Sequence, residues 1–224
     1  HSSNNTLRCA DISNNTHCGL QLTNSLNNII AENILKNNSF GIRLNSICGY
    51  TDYNTIIENN ILDNRYGVYL EESSRGYNFI CLNNLLNNTD SVSSRVRGIW
   101  NSTEQITYTY NGKTYTSYLG NYWDDYTDVD TNNDGIWDNP YSINSDNDSY
   151  PLMERFENYF AVPSLNVNLL SPPEGYSTIA GDELVVKAEV YDGEDLLKNA
   201  EVTGKLSSIS FRLCDDGKST HGNV

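Results

Sequence analysis

The residues best equipped for chemistry lie in one acidic stretch, GNYWDDYTDVDTNNDGIWDNPY, from Gly120 to Tyr141. Within it, Asp130-x-Asn132-x-Asp134-Gly135-x-x-Asp138 repeats the first nine positions of a calcium loop. Oxygens at the first, third and fifth positions converge on one ion, and Gly135 permits the sharp turn between them. The backbone carbonyl of Ile136 and the side chain of Asp138 complete most of a shell. The twelfth position is Tyr141 rather than Glu, so the bidentate ligand of an EF-hand is missing. Asp128, or else Asp124 or Asp125, is expected to supply the remaining oxygen. No helical pattern flanks the loop, so it reads as a free-standing extracellular calcium loop with a dissociation constant of roughly 10⁻⁴ to 10⁻³ M. The competing reading is a solvated cluster of Asx turns that holds no ion. Unpaired carboxylates this close repel one another, which favours the ion, and calcium is the expected cofactor.

Charge supports a cation and excludes a polyanion. The 224 residues carry a net charge of −15. Residues 1–120 are nearly neutral, with 9 acids and 8 bases, whereas residues 121–163 hold 10 acids and one base. A nucleic-acid partner would need a basic surface that this chain lacks. Five cysteines, Cys9, Cys18, Cys48, Cys81 and Cys214, include no CxxC pair, so neither a disulfide framework nor a zinc knuckle is indicated. They read mostly as buried thiols, with room for one bridge. No apolar run is long enough to span a membrane.

The chemistry is placed by a repeat. A unit of 22 to 27 residues recurs four times, beginning TLRCADIS at Thr6, NIIAENIL at Asn28, TIIENNIL at Thr55 and FICLNNLL at Phe79. Each is followed by a shorter motif: GLQL at Gly19, GIRL at Gly41, GVYL at Gly67 and a worn copy, SVSS, at Ser91. Apolar columns align as Leu7, Ile29, Ile56, Ile80, then Ile12, Ile34, Ile61, Leu85, then Leu20, Ile42, Val68, Val92, and Leu22, Leu44, Leu70, Ser94. A polar column, Asp11, Asn33, Asn60, Asn84, lies between them, and Asn supplies 33 residues of the chain. Strands this short, recurring at this period without a helical crossover, are parallel neighbours only if the chain coils. That is a right-handed parallel β-helix with each coil roughly 4.8 Å above the last. Stacked amides are expected at its bends. Gly19, Gly41 and Gly67 are expected at a turn with positive φ. A leucine-rich repeat fits less well, because its LxxLxLxxN spacing is absent.

These residues resemble the parallel β-helix repeat family, in particular its NosD-like, carbohydrate-binding-and-sugar-hydrolase type common in surface proteins of methanogenic archaea. The resemblance covers about residues 5–160. Its most specific part is GNYWDDYTD…DGIWDNPY…YPLM, similar to the segment that closes the β-helix in those proteins. It raises copper delivery as a question. Copper takes His, Met and thiolate ligands, and the chain offers only His1, His17, His221 and Met153, far apart in sequence, besides its cysteines.

Between repeats and acidic loop, ITYTYNGKTYTSYLG signals a hairpin, with Asn111-Gly112 as a type I′ turn pairing Thr109 with Thr114 and Tyr108 with Tyr115. It is expected to cap the open end of the β-helix. Val162-Pro163-Ser164 reads as a linker, dividing the chain into a β-helix over 1–162 and a module over 163–224. In the latter, LVVKAEVY alternates Leu184, Val186, Ala188 and Val190, and Ile209, Phe211 and Leu213 alternate likewise. Turns are expected at Pro172–Gly175, Asp192-Gly193 and Asp216-Gly217. This resembles the first part of an immunoglobulin-like sandwich, and truncation is the expectation, since such a domain needs about 100 residues.

Catalysis on a β-helix requires clustered carboxylates on one outward face. The outward column is Gln21, Arg43, Tyr69, Ser93, without an acid pair, and Glu32 and Glu58 fall one column apart. The YG-x-DPH motif of β-helix sugar epimerases is absent. Tyr66, Tyr69, Tyr77, Tyr118, Tyr122 and Trp123 offer rings for sugar stacking, against the plainer reading of β packing. Sequons at Asn4, Asn14, Asn37, Asn87, Asn101 and Asn147 weakly favour an extracellular location. The chain opens inside a repeat and is expected to be part of a longer secreted protein whose leader lies elsewhere.

The sequence thus predicts an all-β, calcium-stabilised, non-catalytic structural or adhesive module of a cell-surface or S-layer-associated protein. Glycans, and copies of itself through the β-helix ends, are the expected partners. The alternatives are a carbohydrate-active enzyme with its catalytic coils upstream, and a periplasmic NosD-like accessory protein for metal handling.

Overall fold

A computed structural model describes residues 3–72, 77–144 and 146–160, and beyond them the strands of a second unit. The chain divides into two compact units, His1–Ala161 and Val162–Val224.

The first unit is a parallel β-solenoid of four coils, each with three short strands. Coil one holds β1 (Thr6–Arg8), β2 (Asp11–Ser13) and β3 (Cys18–Thr23), and coil two β4 (Ile29–Ala31), β5 (Ile34–Lys36) and β6 (Phe40–Asn45). Coil three holds β7 (Thr55–Ile57), β8 (Asn60–Leu62) and β9 (Tyr66–Leu70), and coil four β10 (Phe79–Cys81), β11 (Asn84–Leu86) and β12 (Asp90–Ser94). Stacking like strands gives three parallel sheets: β1-β4-β7-β10, β2-β5-β8-β11 and β3-β6-β9-β12.

The corners explain the abundance of Asn. Between the first and second strands of each coil, Cys9, Glu32, Glu58 and Leu82 adopt left-handed φ of 53° to 57°. Asn14, Asn37, Asp63 and Asn87 adopt left-handed φ of 50° to 62° between the second and third strands. The Asn that follows such a corner builds a ladder. In the middle ladder, Asn33 Nδ2 donates to Asn59 Oδ1 at 3.0 Å, Asn59 Nδ2 to Asn83 Oδ1 at 2.9 Å, and Asn83 Nδ2 to Asn121 Oδ1 at 3.0 Å. Two further ladders run Asn5-Asn28-Asn54-Asn78 and Asn15-Asn38-Asn64-Asn88. Amides of the ladders also donate to backbone carbonyls, as Asn59 does to Ile30 O and Ile57 O, so buried polar groups at the corners are satisfied internally.

The expected stacking of amides is present, but the sequence alignment slips by one residue in coil two. The inward columns are Leu7, Ile30, Ile56, Ile80 and Ile12, Leu35, Ile61, Leu85. Ile30 and Leu35 are 3% and 0% exposed, whereas Ile29 and Ile34 point outward at 41% and 42%. The buried Asn column is likewise Asn33, Asn59, Asn83, with Ala10 in coil one; Asp11, Ile34, Asn60 and Asn84 form the adjacent strand column. The third-sheet columns stand as aligned from sequence.

Gly19, Gly41 and Gly67 do not serve a positive-φ turn; the described glycines with positive φ are Gly112 and Gly135. The column is needed because adjacent coils touch there. A Cβ on Gly41 would lie 2.6 Å from Gly67 O, and one on Gly67 would lie 2.5 Å from Ser91 O.

After coil four, β13 (Ile106–Tyr110) and β14 (Lys113–Ser117) form the expected hairpin, with Tyr108 opposite Tyr115 and Thr109 opposite Thr114. Then β15 (Tyr122–Trp123) adds a fifth strand to the second sheet beside β11. β16 (Tyr141–Ile143) and β17 (Asp146–Asp148) form a second hairpin, and a 3₁₀ turn spans Phe156–Tyr159. The solenoid core continues into Trp100, Trp123 and Ile143, which close it at this end. The β13–β14 hairpin, expected as the cap, instead packs Tyr108 and Tyr110 with Leu82, Ile136, Leu152 and Tyr159 in a separate cluster.

In the second unit, β18 (Leu165–Ser171) and β19 (Leu184–Asp192) pair antiparallel, and β19 also pairs with β20 (Asp195–Leu196) and β23 (Thr220–Gly222). β21 (Glu201–Leu206) pairs with β22 (Ile209–Cys214). The apolar faces predicted for these strands, and most of the predicted turn residues, lie outside the described residues.

Candidate functional site

The acidic loop is held from three sides. Tyr108 Oη donates to Asp134 O at 2.9 Å and Tyr115 Oη to Asn133 O at 2.7 Å, so the hairpin buttresses the loop directly. Trp137 N donates to Pro151 O at 2.9 Å, Met153 N to Gly135 O at 2.9 Å, and Tyr159 Oη also donates to Gly135 O. Gly135 takes φ +86°, the turn its place in the motif requires. Ile136 is 6% exposed and anchors the loop in the apolar cluster.

The predicted ligand oxygens spend hydrogen-bonding capacity on the loop itself. Asp130 accepts from Asp134 N at 3.2 Å and Gly135 N at 3.0 Å, and Asn132 Oδ1 accepts from Asp134 N at 3.1 Å. Asp134 Oδ1 accepts from Ile136 N at 2.9 Å, and Asp138 Oδ2 from Thr131 N and Oγ1. Asp128 Oδ2 accepts from Asn139 N and Nδ2. Asp124 and Asp125 turn elsewhere, to Asn87 N and Tyr141 Oη. Among the described residues no group of three or more His, Cys, Asp or Glu side chains is placed to hold a metal ion. The acidic surroundings do act on the phenols: burial first, and then Asp134, raises Tyr108, while burial followed by Asp125 raises Tyr141.

A second constellation lies on the outer face of the third sheet and was only partly visible in sequence. Arg43 forms an ion pair with Glu71, hydrogen-bonds His17 Nε2 at 3.1 Å and packs over the Phe40 ring at 5.3 Å. Phe40 stacks on Tyr66 at 5.1 Å, and Tyr69 meets both edge-on. Cys18 Sγ lies 3.4 Å from Gln21 Oε1, and burial raises its thiol pKa against the opposing pull of Arg43. Most rings expected to face sugars already face one another. Tyr66 stacks on Phe40, Tyr77 stacks on Tyr53 at 5.7 Å, and Tyr118 lies 5.2 Å from Tyr150. Trp123 is 1% exposed and stacks on Tyr141.

The register shift also changes the acids. Glu32 and Glu58, expected one column apart, occupy the same corner on adjacent coils. Arg8 pairs with Glu32 at 3.1 Å, and Cys9 Sγ lies 3.4 Å from Glu32 Oε2. Burial raises the Glu58 pKa, and Glu32 adds to the rise.

The least exposed acid is one that sequence reasoning passed over. Asp148 is fully buried and ends the middle amide ladder. Its Oδ2 accepts from Asn121 N at 2.7 Å, Asn121 Nδ2 at 3.3 Å and Trp123 Nε1 at 3.0 Å, and its Oδ1 from Tyr150 N at 3.0 Å. Desolvation outweighs these four donors and raises its pKa to about 6. Its sequence signal is the spacing from Trp123, which is legible only once the ladder is known.

Soft donors do not assemble. Cys18, Cys48 and Cys81 are free thiols, and Cys9 Sγ turns to Glu32. His17 and Cys18 both interact with the Arg43 guanidinium, a poor neighbour for a metal cation, and Met153 Sδ accepts from Tyr110 Oη. The described side chains therefore do not fit a copper centre. His1 and the side chains of His221 and Cys214 lie outside the described residues.

No curated protein and no solved structure matches the chain significantly. The family model described as periplasmic copper-binding protein (NosD) matches residues 1–128, covering the four coils, the hairpin and the start of the acidic stretch. More than half of the chain falls within that match, and the chain belongs to the NosD family.

Proposed function

We propose that this chain is a non-catalytic structural module of the extracellular or cell-envelope space, a rigid spacer whose lateral faces meet neighbouring macromolecules. The observation that carries this reading is the set of three buried amide ladders running along the coils. Such ladders lock adjacent coils together in a quasi-one-dimensional array whose sides stay free for contact. The family match supports a location outside the cytoplasm, since that family is described as periplasmic. No helix among the described residues is long and apolar enough to cross a membrane. Glycans are the partner class proposed for the outer face of the third sheet, where Tyr69, Arg43 and Glu71 combine a ring with planar polar groups. Self-association through the solenoid ends is the other contact proposed, and light scattering at high concentration tests it, a clean monomer counting against it.

Calcium is proposed for the acidic loop, with Asp130, Asn132, Asp134, Asp138, Asp128 and the Ile136 carbonyl as its oxygens. Each carboxylate that accepts an N–H retains lone pairs, and the loop is fastened on three sides by Tyr108 and Tyr115, by the Pro151 and Met153 backbone, and by Tyr159. Thermal melts followed by fluorescence test it. Millimolar calcium is expected to raise the melting temperature of the wild type and to leave Asp134→Ala unmoved. Equal melts with calcium and with chelator would leave the loop a network of Asx turns.

The family match favours a second reading, an accessory role in metal handling. Anaerobic titration with Cu(I) discriminates: the spacer reading predicts no stoichiometric site dependent on His17 or Cys18.

A further inference from the structure

An apolar cleft of about 360 Å³ opens between the outer face of the first sheet and the segment that leads into the β13–β14 hairpin. Its floor is Ile57, Phe79 and Cys81, with Ile106 on the far wall, and Asn101, Ser102, Thr103 and Glu104 form the other side. The floor lies on β7 and β10, inside a sheet whose register the ladders fix. The wall is also built. Ser102 exchanges hydrogen bonds with Leu119, its N–H donating to Leu119 O and its Oγ accepting from Leu119 N, and Ser102 Oγ donates to Glu104 O at 2.7 Å.

Three features of the cleft point to one ligand chemistry. Phe79 makes no ring contact among the described residues, although most tyrosines of this unit stack on a neighbour. Glu104 forms no ion pair there, and no donor reaches Asn101 Oδ1; Asn101 Nδ2 is turned back to Ser102 O. Among the described residues, no Lys, Arg or His lines the cleft. Glu58 and Asp148 both act on the Cys81 thiol, which burial raises to about 12 and so keeps neutral. An anionic ligand would be repelled, and a neutral apolar one would leave the carboxylate unused.

We propose that this cleft binds an organic ammonium ion with an apolar body, the body resting on Ile57 and Phe79 and the cationic head between the Phe79 ring and the Glu104 carboxylate. An aromatic face and a carboxylate sharing one cation are the two attractions such a head requires, and the apolar walls desolvate its substituents. The inference stands independently of the spacer reading, which concerns other faces.

Calorimetric titration with benzyltrimethylammonium tests it, with benzyl alcohol as the neutral analogue. Saturable binding is expected, weakened roughly tenfold or more for benzyl alcohol and by Glu104→Gln. Glu104 is exposed, so Glu104→Gln leaves the fold intact, and an unchanged melting temperature verifies this. Phe79→Leu, which keeps the floor apolar, is expected to weaken the cation more than the alcohol. Absence of saturable binding up to roughly 10 mM would overturn the proposal, as would equal affinity of Glu104→Gln. The ammonium could belong to a free metabolite or to a choline headgroup. Cosedimentation with phosphatidylcholine vesicles that benzyltrimethylammonium competes away assigns it to lipid, and soluble binding without cosedimentation assigns it to a free amine.

Discussion

Asp148 should make the solenoid more stable in mild acid, against the usual trend for carboxylates. Its pKa rises from an ordinary 3.8 to about 6 because the side chain is wholly buried. The folded chain therefore binds a proton more tightly than the unfolded chain. The stability contributed by the protonated carboxyl is fully present below pH 3.8 and is lost as pH rises through about 6. At 1.36 kcal/mol per pH unit the whole window is worth about 3 kcal/mol, of which about 2 kcal/mol falls between pH 7.5 and 4.5. Other acids titrate in the same range, so the effect is read against Asp148→Asn, which cannot titrate. The amide oxygen of that variant can still accept from Asn121 and Trp123, but its NH₂ faces the Tyr150 N–H, a loss of about 1 to 3 kcal/mol. Urea denaturation followed by tryptophan fluorescence reports this unit alone, because all three Trp precede Val162. Wild type should gain on Asp148→Asn by about 2 kcal/mol on going from pH 7.5 to 4.5. A gap that stays constant, or that closes, would show that the four donors outweigh desolvation and that the carboxylate is charged throughout.

The register of coil two yields a paired test: Ile30→Ala should cost about 2 to 5 kcal/mol and Ile29→Ala less than about 1 kcal/mol, measured by urea midpoints. Asn59→Ala, which strands donors and acceptors on Asn33, Asn83, Ile30 and Ile57, should cost about 3 kcal/mol or more. Asn60→Ala, one residue along and part-exposed, should cost less than about 1 kcal/mol, and comparable losses would refute the ladder assignment. Gly67→Ala places a Cβ 2.5 Å from Ser91 O and should lower stability by roughly 2 kcal/mol, a clash that a positive-φ turn would not produce.

The solenoid was legible because its period is a property of the whole repeat, and four copies average out local ambiguity. Register was not, and coil two shows why. NIIAENIL offers Ile29 beside Ile30 and Ile34 beside Leu35, so apolar character alone cannot choose which member of each pair faces inward. Coils three and four likewise carry paired Asn, Asn59-Asn60 and Asn83-Asn84. The deciding signal is the left-handed corner: the ladder Asn follows Glu32, Glu58 and Leu82, and aligning on those corners brings Asn33 under Asn59 and moves both Ile pairs into place. The same shift stacks Glu32 on Glu58, so a one-residue slip altered the reading of the acids as well as of the core.

The acidic loop shows a different limit. Its motif spacing correctly required a sharp turn at Gly135, because that is a local property of nine residues. What holds the loop is not local. Tyr108 and Tyr115 come from a hairpin that alternation predicted down to its cross-strand pairs, yet alternation carries no information about which surface that hairpin meets. The exposed end of a solenoid suggested an end cap. The end is in fact closed by indoles whose N–H groups need acceptors: Trp100 donates to Asp146 at 3.1 Å and Trp123 to Asp148 at 3.0 Å, both carboxylates on β17. Closing an apolar core with Trp demands an acceptor for each indole. A dense acidic segment therefore divides into carboxylates that finish the core, Asp146 and Asp148, and carboxylates left at the surface from Asp128 to Asp138. The second group is the one proposed above to take a cation, and a local charge count cannot separate the two.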